Sequence, residues 1–151
     1  MGSVWERYIL VFMRMFLGAF NLASGLNYFI LWWPQPKIQD SSAGAMYVQA
    51  ATDVNLFALA KVLESIGGFL LVTNTAVPFA LLLLLPVTVT IFILNAFYSP
   101  LPHIEASGTR NMIFHAVLMI SYAGSYMPLL RLRAAPSPFW RRPSVLKDYL
   151  K

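Results

Sequence analysis

Four long apolar stretches fill most of the chain, and two of them carry ionisable side chains deep inside. Arg14 lies in the first, Lys61 and Glu64 in the second. Hydrocarbon tolerates such groups only where they pair, face protein or face water. This pattern predicts an integral membrane protein with a partly polar interior. The expected fold class is all-α, an integral membrane four-helix bundle. Its spans are expected at about residues 8–33, 52–72, 76–97 and 111–130, each close to the roughly 20 residues that cross a bilayer.

Composition agrees with that class. Hydrophobic residues make up 58% of the chain and charged residues 11%, where soluble domains carry about 25% charged. Cysteine is absent, which excludes disulfides and thiolate metal sites. Glu6 and Arg7 precede an apolar run too long for a signal peptide, and the run ends in Trp32-Trp33-Pro34. The first segment is therefore expected to remain as a span.

The net charge of +5 resides in residues 131–151. There Arg131, Arg133, Arg141, Arg142, Lys147 and Lys151 face only Asp148. The positive-inside rule puts such a tail in the cytoplasm, and four spans then place both termini there. Its partners are expected to be anionic lipid headgroups and not nucleic acid. Trp140, Arg141 and Arg142 form the expected lipid or partner contact, because aromatic and basic groups together suit a membrane interface.

The polar residues of the spans fall on faces. Arg14, Gly18, Asn21 and Gly25 recur at spacings of four, three and four, which is one side of a helix. Lys61, Glu64 and Gly68 repeat the pattern in the second span, Thr88 and Asn95 share a face of the third, and His115, Met119, Tyr122 and Tyr126 line the fourth. The expected buried polar network is Arg14, Asn21, Lys61, Glu64, Asn95 and His115. Arg14 falls about 9 Å and Glu64 about 3 Å to the cytoplasmic side of their span centres. The long arginine stem bridges that difference, so Arg14–Glu64 is the expected ion pair, with Lys61 as the alternative partner of Glu64. The same pair serves equally as a structural register device, and His115 as an interior hydrogen-bonder. No second histidine lies at helical spacing from His115, so no metal site is expected, nor is a cofactor, apart from a quinone entering between helices.

These motifs resemble the DoxX-like family of small four-span membrane proteins. The likeness lies in Arg14-x3-Gly18-x6-Gly25, in Lys61-x2-Glu64-x2-Gly67-Gly68 followed by Leu70-Leu71, in Pro86-Val87 of the third span, and in Tyr126-x-Pro128-Leu129-Leu130. It covers about residues 8–130. Many relatives carry asparagine and histidine near the positions of Thr90 and Asn95, and this chain has no histidine there. The resemblance implies a cell inner (plasma) membrane protein that is a small subunit near quinol oxidation or a helper of membrane and redox partners. Three functions are therefore carried forward. The first is a non-catalytic accessory or assembly component of a membrane complex, bound to another membrane protein or to itself. The second is a quinone-associated small subunit of a redox enzyme. The third is an oligomeric small transporter or proton path through the Arg14–Glu64 layer.

Overall fold

The computed structural model describes residues 4–34, 43–98 and 102–127, all helix and connecting turn. Six helices follow in order: α1 (Val4–Ile30), α2 (Ala43–Asp53), α3 (Leu56–Val72), α4 (Val77–Phe97), α5 (Pro102–Ser121) and the single turn α6 (Ala123–Tyr126). Around the molecule α1 packs on α3, α3 on α4, α4 on α5 and α5 back on α1, while α2 leans on α3. The packed centre is small and aliphatic: Leu17, Leu71, Leu81, Leu84 and Leu118 are each completely buried.

The stops are set locally. Asn27, at the end of α1, accepts from the Trp33 backbone N–H at 2.9 Å and donates to the Trp33 carbonyl at 3.2 Å. That clasp reverses the chain after Leu31, whose φ is 57°. Asn55 sits between α2 and α3 with φ 61°, a left-handed conformation that asparagine adopts more readily than most residues. The chain turns there, and α2 and α3 meet at 89°. Asn74 (φ 58°) and Ala76 (φ 45°) build the tight turn from α3 into α4.

The expected four-span bundle is overturned. Among the described residues only α1 and α4 are long and apolar enough to cross a membrane, and a third span exists only if the bent α2–α3 pair is taken as one. Two local causes account for this. The Asn55 elbow diverts residues 43–53 into their own helix and leaves α3 with 17 residues. The expected fourth span does not form one helix, because the chain breaks at Tyr122 (φ −99°, ψ 14°). Its helix instead begins at Pro102, as proline is well tolerated in the first turn. It thereby takes in His103, Glu105 and Arg110, which were expected in a polar loop.

The two long apolar helices turn most of their side chains outward. Buried residues make up 22% of the most apolar stretch of α1 and 28% of that of α4. Trp5, Tyr8, Phe12 and Phe29 on α1 are each more than half exposed. Apolar surface on this scale is not stable in water. It belongs against lipid, and the chain is a small helical membrane protein.

Candidate functional site

The most buried charges of the described chain meet on α3. Lys61 Nζ donates to Glu64 Oε2 at 2.8 Å and to Oε1 at 3.0 Å, one helical turn apart. Its third partner is the Ser24 hydroxyl of α1, at 3.0 Å. The Phe57 ring lies 5.2 Å from the ammonium and closes it from the other side. Glu64 retains only 2% of its exposure, so the pair is a desolvated one whose charges rely on each other.

Small residues bring the two helices to this distance. A methyl group on Gly25 would meet the Lys61 carbonyl and the Ser65 amide at 2.7 Å, and one on Gly68 would meet the Gly18 carbonyl at 2.7 Å. α1 and α3 therefore touch backbone to backbone along the face on which the glycines recur.

The expected Arg14–Glu64 pair does not form. Arg14 instead donates from Nη1 to the Leu71 carbonyl at 3.1 Å. The helix register explains this. Antiparallel packing sets Gly25 beside Lys61 and Ser65, and Gly18 beside Gly68 and Leu71. Glu64 is then level with Ser24, ten residues and about 15 Å of helix rise away from Arg14. Arg14 reaches only the end of α3, where carbonyls lack intrahelical donors and favour a cation.

A second polar group holds α4 to α5. His115 is fully enclosed, with Nδ1 2.9 Å from the Thr88 hydroxyl and Nε2 3.0 Å from the Leu81 carbonyl. A carbonyl only accepts, so Nε2 carries the proton and Nδ1 accepts from Thr88. Both ring nitrogens are thereby engaged, and neither lone pair is left for a metal. Among the described residues no group of three or more histidine or carboxylate side chains is placed to hold a metal ion. Replacing His115 with leucine should cost about 1–3 kcal/mol, because the Leu81 carbonyl and the Thr88 hydroxyl lose their partner inside the protein. Thr88→Val should cost less, since it orphans one acceptor only. Thermal unfolding in a mild detergent measures both, and an unchanged midpoint for His115→Leu would remove the ring from the α4–α5 contact.

The remaining expected residues lie apart from these two clusters. Asn21 donates to the Leu17 carbonyl of its own helix at 2.8 Å. Asn95 packs on α5, where a methyl group at Gly108 would meet its Cβ at 2.8 Å. Trp140, Arg141 and Arg142 lie outside the described residues. Three contacts were not foreseen. Ser24 completes the Lys61 shell. Asn27 closes α1. The Arg110 guanidinium stacks over Phe16 at 4.5 Å from the ring centroid, with its Nε buried and without a hydrogen-bond partner among the described residues. Serine and asparagine in an apolar run do signal a hydrogen-bonding interior face, and an arginine eight residues after a helix-compatible proline signals a helical position for Arg110.

A half-open pocket adjoins the Lys61–Glu64 pair. A cavity of about 230 Å³ lies between α2, α3 and α4, walled by Ala51, Phe57, Ala60, Val87 and Ile91, with the ion pair at its inner side. It is larger than the ~150 Å³ apolar cavity that accepts benzene.

No protein-family model, curated protein or solved structure matches this chain. Its fold and its polar clusters define a class: a small, mostly helical, multi-pass membrane protein.

Proposed function

We propose that the chain is a non-catalytic accessory or assembly component of a membrane protein complex, of the DoxX-like kind, resident in the cell inner (plasma) membrane. The observation that carries this reading is where the polar groups are spent. Lys61, Glu64 and Ser24 satisfy one another, and His115 is taken up by Thr88 and Leu81. The Lys61–Ser24 bond and the two His115 bonds join helix to helix, which is the chemistry of a scaffold. The outward rows of aromatic and aliphatic side chains on α1 and α4 offer surface to a second membrane protein, or to another copy of this one. The basic tail is assigned to the cytoplasmic face, with Trp140, Arg141 and Arg142 on anionic headgroups. Extraction of the full chain from its native membrane in a mild detergent, followed by mass spectrometry of proteins and lipids, tests the reading. A membrane protein present in fixed stoichiometry is the expected result. Recovery of the chain alone and monomeric would overturn it.

The 230 Å³ cavity favours a second reading, association with a quinone. A ring is of the right size, and the Lys61–Glu64 pair supplies the few polar groups that a largely apolar site uses to orient a ligand. Quinone in the same lipid extract, lost when Ala60→Leu fills the cavity, is the expected result. Equal quinone content in the two chains would reject this reading.

A further inference from the structure

Among the described residues no carboxylate is bonded to Arg14. Its expected partner, Glu64, is held by Lys61, and among the described residues Arg14 bonds one neutral group, the Leu71 carbonyl. That contact uses one of the five N–H donors of a guanidinium. A cation half-buried in a membrane-spanning helix without an opposite charge is costly. An anion bound in its neighbourhood offsets that cost.

The space for it is present. Arg14 lines a cleft of about 450 Å³ between the first half of α1, the α3–α4 turn and the end of α5. Arg7 lines the same cleft, two turns towards the N-terminus and about 10 Å of rise from Arg14. The two share a face of α1, and both stems are long enough to converge on one anion. Glu6, eight residues from Arg14, and Tyr122, after α5, also line the cleft. Leu10 and Leu118 form an apolar wall between them.

We propose that this cleft binds the phosphate of an anionic membrane lipid, with Arg14 as its inner and Arg7 as its outer contact. Guanidinium matches phosphate in charge and in paired hydrogen-bond geometry. A lipid is favoured over free phosphate because the cleft is lined along α1, a helix long and apolar enough to cross a membrane.

The test uses the full chain with Arg141→Gln and Arg142→Gln, so that tail binding does not mask the cleft. Native mass spectrometry from a neutral detergent counts retained lipid. Phosphatidylglycerol should be retained at one per chain and at least about tenfold more strongly than phosphatidylcholine, as expected for a charge-assisted contact. Arg14→Gln should weaken that retention about tenfold. Arg7 is exposed, so Arg7→Gln leaves the fold intact and should weaken retention several-fold. Equal retention of the two lipids, or undiminished phosphatidylglycerol in both arginine variants, would overturn the proposal. Displacement of the lipid by millimolar inorganic phosphate would overturn the lipid as the source of the anion.

Discussion

Lys61→Met should lower the unfolding free energy of the protein in mild detergent by about 3–5 kcal/mol, the usual cost of leaving one member of a buried pair alone. Glu64 keeps only 2% of its exposure and both of its oxygens lean on Lys61. Without the ammonium its carboxylate is left buried with its charge uncompensated. Glu64→Gln should cost less, because Lys61 retains the Ser24 hydroxyl and an amide oxygen. The double variant Lys61→Met, Glu64→Leu should recover most of the loss, since a well-packed apolar pair often replaces a buried ionic one without penalty. A double-mutant cycle makes the partnership measurable. Strong coupling is expected between Lys61 and Glu64, and near-additivity between Arg14 and Glu64, which lie at different levels of the bundle. Coupling of Glu64 to Arg14 in place of Lys61 would show that the register of α1 on α3 is wrong.

Gly68→Leu should be at least as damaging, at about 3 kcal/mol or more, because the added side chain has no way round the neighbouring backbone. The first added carbon already meets the Gly18 carbonyl at 2.7 Å and the Leu22 Cα at 2.8 Å. Neither atom is the free end of a side chain, so α1 and α3 must separate. Separation also pulls Ser24 away from Lys61 and Arg14 away from Leu71. Gly124→Ala is the matching control. Nothing lies within 4 Å of the position its Cβ would take, and its effect should stay within about 0.5 kcal/mol. Unfolding midpoints of the two variants in the same detergent decide the matter, and equal midpoints would exclude a backbone contact at Gly68.

The inward face of α1 was legible in the sequence, because helical spacing places Gly18, Asn21 and Gly25 together and these are buried residues. The same holds for Lys61, Glu64, Gly67 and Gly68 on α3. What spacing does not carry is the register between helices. Arg14 and Glu64 looked compatible in depth measured from the middle of each apolar run. The true level is set by which glycines meet, a property of two helices at once. The number of membrane-spanning helices was misjudged for a different reason. Asn55 and Pro102 are residues whose effect depends on backbone context. Asn55 takes a left-handed φ and ends one helix before the next begins, while Pro102 starts a helix in the stretch left between the expected third and fourth spans. His115 was visible as an interior polar group, yet one of its two partners is the Leu81 backbone, which has no signature in the choice of side chain.

The interhelical hydrogen bonds sort the helices into two couples. Ser24 and Arg14 fasten α1 to α3, while Thr88 and the Leu81 carbonyl fasten α4 to α5. Between the couples the contacts are of another kind: Leu84 seated on Gly67, the Phe16 and Phe114 rings edge to face at 5.6 Å, and Arg110 over Phe16. Directional bonds hold an angle, whereas greased surfaces permit sliding. The molecule is thus two hydrogen-bonded helix couples, held to each other by side-chain packing and by the tight turn from α3 into α4. During synthesis the second couple joins neighbours in the chain, but the first must wait while α2 is made. α1 therefore enters the membrane ahead of its mate, and its Arg14 needs temporary company until α3 arrives.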